Sequence, residues 1–245
     1  VMQGQGKCIM KNVSANKNKY EMDMCSGSLL PKILLYSLPL MLSGILQLLF
    51  NAADIVVVGR FAGNDALAAV GSTSSLINLL VNVFMGLSVG TNVMVARFYG
   101  AGQKKELEEM VHTAILTSIV SGVILIFVGL ALSRPALLLM DTPENVIDQS
   151  VLYIRIYFVG MPAMMLYNFG SAVLRAVGDT RRPLYFLMIA GVINVVLNLF
   201  FVISLSMGVA GVALATIISQ AVSAILVLLC LLRSESDSRV GLTKL

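Results

Sequence analysis

Asp54 is the residue whose surroundings in the sequence most clearly predict chemistry. It lies in an apolar run from about Ile33 to Gly59, which is longer than the roughly 20 residues a helix needs to cross a bilayer core. A carboxylate at that depth costs at least about 2.5 kcal/mol and usually faces a protein interior or a water-filled cavity. The position predicts an acid that binds and releases a proton or Na⁺. The alternative is a structural acid near the helix end, where it reaches the headgroup region or satisfies a neighbouring backbone group.

The polar residues that precede Asp54 share its helical face. Ser43, Gln47, Asn51 and Asp54 are spaced at i, i+4, i+8 and i+11, and this spacing places side chains on one side of an α-helix. Apolar residues occupy the other sides. The first span is therefore predicted to carry a polar stripe that ends in a carboxylate, with Gln47 and Asn51 lining a cavity.

Other apolar runs also contain polar side chains, and these need partners inside a membrane. Asn194 and Asn198 stand at i and i+4, and Thr216 lies in the last run. Carboxylate, amide and hydroxyl oxygens are hard ligands of the kind Na⁺ accepts, and a carboxylate alone suffices for a proton. We therefore predict a cation site formed by Asp54, Asn194, Asn198 and Thr216. The alternative is a set of interhelical hydrogen bonds that only hold the bundle together.

Three further side chains are predicted to line the same interior. They are Met164 and Asn168, on one face of the fourth run, and Gln220, one turn after Thr216. The spacing predicts no metal site beyond a possible Na⁺ at Asp54. Three scattered cysteines and a single histidine argue against a disulfide framework or a transition-metal centre.

Six apolar runs position these residues, which predicts an all-α integral membrane protein built as a six-helix transmembrane bundle over residues 29–232. Residues 1–28 are predicted to form a polar cytoplasmic tail, and residues 233–245 a cytoplasmic tail or connection. Pro39 lies within the first run, and Gly160 and Pro162 interrupt the fourth. The runs cover residues 33–58, 67–96, 110–132, 151–177, 184–203 and 208–232.

Composition agrees with a membrane protein and excludes several other classes. Hydrophobic residues make up 58% of the chain and charged residues 12%, against about 25% charged in soluble domains. The net charge of +4 does not indicate nucleic acid, because the lysines and arginines lie in short segments between runs. Their distribution predicts that both termini are cytoplasmic and that the acidic segment 140–148 lies outside. No nucleophile–base set, phosphate-binding loop or metal motif indicates an enzyme.

Five segments together resemble the multidrug and toxic compound extrusion (MATE) transporters, most closely the bacterial ones. They cover nearly all of residues 30–232 in the order found in that family. Their sequences are PLMLSGILQLLFNAADIVVVGRFAGNDALAAVG (39–71), GLSVGTNVMVARFYGAGQ (86–103), LRAVGDTRRP (174–183), NVVLN (194–198) and GVAGVALATIISQ (208–220).

This resemblance implies one lobe of a twelve-helix, two-lobe transporter in the plasma membrane. The chain resembles the N-terminal lobe, and a second lobe or a second copy of the chain would complete it. The implied activity is export of cationic or amphipathic small molecules in exchange for H⁺ or Na⁺, with no other cofactor. The family's first-helix acid matches Asp54. Its proline, associated with helix bending when the acid is protonated, matches Pro39.

The resemblance also assigns Asn194, Asn198 and Thr216 to the cation site, with one departure. Some members carry a second acid where this chain has Asn198. A lone carboxylate makes exchange of a single charge more natural and leaves the choice between proton and sodium open. Two alternatives remain: a lipid-linked saccharide flippase of the same superfamily, which would need a cationic lining, and a non-transporting membrane fragment or scaffold.

Overall fold

The computed structural model describes residues 29–233, so the predicted tail at 1–28 and nearly all of the segment 233–245 lie outside it. The described chain is a bundle of α-helices joined by short turns. The helices are α1 (Leu29–Phe61), α2 (Asn64–Gly100), α3 (Lys104–Leu139), α4 (Glu144–Val159), α5 (Met161–Ala176), α6 (Arg181–Leu199) and α7 (Gly208–Arg233), and a π-helical segment, Phe200–Ser204, continues α6.

Five of these helices are long and apolar enough to cross a membrane, and α4 and α5 together make a sixth candidate span. The two halves of that span meet at a 48° bend. Gly160 ends α4, and Pro162 occupies the first turn of α5. Proline lacks the N–H that would continue the helical ladder, so the bend lies at the break that Gly160 and Pro162 predict.

Most helices extend beyond the apolar runs. Helix α3 begins at Lys104 and α4 at Glu144, each several residues before the corresponding run. The sequence KKELEE at the start of α3 consists of good helix formers. Pro143 precedes α4 and Glu144 lies in its first turn, which suits a helix N-terminus. Half of the acidic segment 140–148 is therefore helical. Hydropathy locates the membrane-embedded part of a helix but not its polar ends.

Helix α5 forms the centre of the bundle, in contact with α2, α3 and α7. Small residues allow these close approaches. Gly122 of α3 faces the backbone of Pro162, and Gly170 of α5 faces Val227 of α7, so that an added Cβ would collide at either glycine. Helix α1 packs mainly on α6 at the edge of the bundle. There, the ring of Phe50 fills the space beside Gly191.

Candidate functional site

Asp54 meets the predicted polar residues of α6 and α7 where α1 packs on α6. Asn198 donates a hydrogen bond from Nδ2 to Asp54 Oδ1. The same nitrogen donates to Asn194 Oδ1 at 3.2 Å, and Asn194 Nδ2 donates to Thr216 Oγ1 at 3.4 Å. Four polar side chains from three helices thus form one continuous chain of hydrogen bonds. We call these four residues the Asp54 cluster.

The Asp54 cluster is shielded on its α6 side and more open at its acid. Asn194 and Asn198 are buried, with Asn198 fully inaccessible, whereas Asp54 and Thr216 are partly exposed. Thr216 also donates to the carbonyl of Val212 at 3.0 Å, which fixes its hydroxyl hydrogen. The i, i+4 spacing of the two asparagines places both amides on the face of α6 that meets α1 and α7.

One acceptor in the cluster has no hydrogen-bond donor among the described residues. Asn198 Oδ1 is buried without a partner, although buried polar atoms are nearly always paired. An amide oxygen beside a carboxylate and a hydroxyl makes a set of hard oxygen donors, which suits H⁺ or Na⁺ better than a soft transition metal. Within residues 29–233, no group of three or more His, Cys, Asp or Glu side chains could hold a metal ion.

Two tyrosines of α4 lie on the Thr216 side of the Asp54 cluster, and one of them, Tyr153, is not predicted from the sequence. Tyr157 shares a pocket with Thr216, and Tyr153 lies one turn earlier on α4. Their ring centroids are 5.9 Å apart. In the sequence, Tyr157 shares the polar face of the fourth run with Met164 and Asn168, whereas Tyr153 lies outside that set. The sequence feature that could have indicated Tyr153 is its i, i+4 spacing from Tyr157 within the fourth apolar run.

The other predicted residues divide into those near the cluster and those away from it. Gln47 and Asn51 are exposed on α1, so the stripe faces outward before it reaches Asp54. Asn168 is buried on α5, and its amide donates back to Met164 O at 2.9 Å. Pro39 is buried inside α1 and accepts a hydrogen bond from Ser43 Oγ at 2.8 Å.

Met164 and Gln220 lie beside the Asp54 cluster, in a pocket shared with Thr216 and Tyr157. Tyr157 Oη is 3.8 Å from Met164 Sδ. The structure therefore gathers Asp54, Asn194, Asn198 and Thr216 into one cluster and places Met164 and Gln220 next to it. It leaves Gln47 and Asn51 on the surface of the lobe.

Comparison with known proteins identifies the family. The MatE family model matches residues 39–200, which is well over half of the chain and includes Asp54, Asn194 and Asn198. The chain belongs to the MATE family. Its predicted all-α, multi-helix membrane fold is confirmed by the bundle described above and by the solved MATE structures it resembles.

Two relatives from Bacillus subtilis show the extent of the similarity. The chain is 36% identical to "Probable multidrug resistance protein YoeA" over 205 residues, covering 82% of the chain and 44% of that protein. It is 32% identical to "Probable multidrug resistance protein YpnP" over 203 residues, covering 82% of the chain and 45% of that protein. The chain therefore spans about half the length of the curated relatives it matches.

A solved structure shows the same arrangement of helices. The "Crystal structure of MATE in the bent conformation" superposes with a TM-score of 0.81 at 26% identity, covering 87% of this chain and 48% of that one. The chain is therefore equivalent to about one half of a MATE transporter, as expected for one lobe. Two other solved structures that it resembles are described as a "multidrug resistance MATE family transporter", which favours a transport protein over an enzyme.

Proposed function

We propose that this chain is the N-terminal lobe of an antiporter that exports cationic or amphipathic small molecules in exchange for H⁺ or Na⁺. Membership of the MATE family supports the class of activity. The observation that carries the proposal is the Asp54 cluster, in which an acid within a membrane span is joined through Asn198 and Asn194 to Thr216. An ionisable group kept inside a span at this cost is expected to serve an ion pathway.

The Asp54 cluster contains groups that could bind either H⁺ or Na⁺. Protonation would neutralise the carboxylate, and the hydrogen bond from Asn198 Nδ2 would lose its charged acceptor, which weakens it. Na⁺ would instead need several oxygen ligands. Asp54 supplies one, and Asn198 Oδ1, which has no protein donor among the described residues, supplies another. With one carboxylate in the cluster, either ion balances one charge.

Ion binding can drive transport if it changes the contacts that hold α1 against α6. Asp54 connects α1 to α6 through Asn198, so a change at the carboxylate changes the contact between the two helices. The buried Pro39, fifteen residues earlier in α1, marks a point where the helical ladder lacks one hydrogen bond and bends easily. A second lobe, or a second copy of this chain, would supply the opposite wall of the transport cavity. The setting is the plasma membrane, with both termini cytoplasmic.

The decisive variant is Asp54→Asn in a complete transporter that carries this lobe, reconstituted in liposomes with an imposed gradient. We expect export of a fluorescent cationic dye to fall at least about a hundredfold, since an Asn cannot take up a proton and binds Na⁺ without a compensating charge. The protein should still purify as a folded species. Asp148→Asn is the matched control, because Asp148 is an exposed acid at the start of α4.

The same liposomes identify the coupling ion. Export that collapses when the proton gradient is removed at constant Na⁺ would assign H⁺, and the reverse would assign Na⁺. Gradient-driven export retained by Asp54→Asn would overturn the proposal. No gradient-driven export from the unaltered protein would favour a non-transporting membrane protein.

A further inference from the structure

The start of α6 lies beside the end of α7, and an ion pair fixes this contact. Asp179, in the turn before α6, is almost fully buried. Its Oδ1 accepts a hydrogen bond from Arg182 N at 3.1 Å, and its Oδ2 lies 3.3 Å from Arg182 Nε. The same guanidinium donates to Cys230 Sγ on α7 at 3.5 Å. The pair therefore joins the ends of the two helices, and Asp179 balances the charge of Arg182.

Two further arginines lie at the same place, and no described acid balances them. Arg181 is the first residue of α6, and Arg233 is the last of α7, three residues after Cys230. Both are exposed, and neither forms an ion pair with a described residue. The first turn of α6 contains no acid. We call Arg181 and Arg233, with the helix ends that carry them, the Arg181–Arg233 corner.

Each arginine of the corner stands at the head of an exposed apolar stripe. The exposed residues that share a face of α6 with Arg181 are Tyr185, Met188, Ile189 and Val192. Those that precede Arg233 on its face of α7 are Ile225 and Leu229. The α6 stripe, from Arg181 to Val192, is about 16 Å long at 1.5 Å per residue. That is about half of the roughly 30 Å hydrocarbon core, which is the depth of one leaflet.

We propose that the Arg181–Arg233 corner binds an anionic phospholipid, with the phosphate between the two guanidinium groups and the acyl chains along the two stripes. Guanidinium groups hold phosphate oxygens through parallel N–H donors. An arginine near the membrane surface strengthens the binding of anionic lipid about fivefold. A zwitterionic lipid gains the apolar contacts without this attraction. The lipid site does not depend on ion coupling, so it stands or falls independently of the proposed function.

The chain contains no tryptophan, which allows a test at the site itself. The reporter is Tyr185→Trp, one turn from Arg181 on the α6 stripe, because bromine on a neighbouring acyl chain quenches tryptophan fluorescence. In a complete transporter that carries this lobe, any tryptophan in the rest of the protein is replaced by phenylalanine. The protein is reconstituted in phosphatidylcholine vesicles that contain a small fraction of brominated phosphatidylglycerol or of brominated phosphatidylcholine.

We expect phosphatidylglycerol to bind beside the Tyr185→Trp reporter about tenfold more tightly than phosphatidylcholine, because two arginines attract its charge. The control reporter is Val196→Trp, on the same exposed face and about 22 Å along α6 from Arg181. The two lipids should quench this control equally. Equal quenching by the two lipids at Tyr185→Trp as well would overturn the proposal.

Removal of the two arginines tests the assigned residues. Arg181→Gln with Arg233→Gln should abolish the preference for phosphatidylglycerol at the Tyr185→Trp reporter. The matched control is Arg97→Gln with Lys105→Gln, which removes two exposed positive charges from the end of the bundle where α2 joins α3. This control should keep the preference. An equal loss in both double variants would show a diffuse positive field in place of a site, and the proposal would fail.

Competition by inorganic phosphate separates a lipid site from a site for the free anion. At constant ionic strength set with chloride, added phosphate should leave the preference unchanged, because the free anion makes no contact with the apolar stripes. A preference that disappears with phosphate but not with chloride would assign the corner to soluble phosphate and overturn the proposal. The comparison of the two reporters needs neither arginine variant, so a folding defect in those variants would not remove the test.

Discussion

Helices α1 and α5 belong to the same lobe, but α5 is mostly buried whereas α1 is mostly exposed. Ten of the sixteen residues of α5 are buried, on faces that contact α2, α3 and α7. In the described part of α1, only Pro39, Val57 and Val58 are buried, and leucines such as Leu48 are 71% exposed. The helix that carries the acid is thus the helix with the least packing.

This difference separates the packed frame of the lobe from a loosely packed helix, α1. Besides its packing near the α1–α2 turn, α1 is attached at a few distinct points. The ring of Phe50 packs beside Gly191, the Asp54 carboxylate accepts from Asn198, and Tyr36 Oη donates to Arg175 O at 3.0 Å. Elements with few buried contacts open at low free-energy cost. The loss of any one of these contacts should therefore loosen α1 without disturbing α5.

The largest effect is expected from a substitution in the frame. A Cβ at Gly170 would collide with Val227 of α7, a stiff side chain on a helix that cannot easily move away. Gly170→Val should lower the free energy of unfolding by about 3 kcal/mol, the upper end of the cost of overpacking. Thermal unfolding followed by size-exclusion chromatography measures the loss.

Gly44→Val is the matched control for this change. An added Cβ at Gly44 of α1 meets no atom within 4 Å, so the variant should unfold within about 0.5 kcal/mol of the unaltered protein, as surface substitutions usually do. Equal losses at Gly44 and Gly170 would contradict the division between a packed frame and a loosely held α1.

A smaller effect is expected where α1 meets α6. Valine at Gly191 would occupy the space of the Phe50 ring, and α1 has room to move outward. Gly191→Val should cost about 1–2 kcal/mol. It should also widen the distance distribution between spin labels at Ile45 and Val192, which are exposed on the two helices. Pulsed electron resonance measures that distribution in a background whose native cysteines are replaced.

The double variant Phe50→Ala with Gly191→Val provides the rescue. Removing the ring frees the space that the valine takes, so the narrow distance distribution should return. A distribution that is equally narrow in the single variant would show that the Phe50 contact does not position α1. A distance distribution that stays wide in the double variant would show that Gly191→Val widens it through some contact on α6 other than the one with Phe50.

The partners of Asp54 could be predicted from the sequence because a membrane interior leaves polar groups few choices. Asn194, Asn198 and Thr216 lie in apolar runs, so they must bond to each other or to another buried polar group. Their spacing places them on defined helical faces. Those two constraints were enough to select the four residues that the structure joins by hydrogen bonds.

The same spacing rule puts Gln47 and Asn51 on one face of α1, and their place in a cavity stays a prediction. Periodicity gives the direction of a side chain relative to its own helix, but it does not say which element lies in front of it. Both residues are exposed because no described helix covers that side of α1. The contact between Phe50 and Gly191 depends on packing between residues far apart in the chain, so no local pattern indicated it.

The smallest predicted effect concerns the N-terminal part of α1, where one hydrogen bond joins it to the last turn of α5. Tyr36→Phe removes the donor to Arg175 O while keeping the ring. It should lower the free energy of unfolding by about 1 kcal/mol, the usual net value of a hydrogen bond. Tyr185→Phe, at a half-exposed tyrosine on α6, should change it by much less in the same thermal assay. If the two variants unfold alike, the Tyr36 contact does not help hold α1, and the attachment rests on Phe50 and the Asp54 cluster.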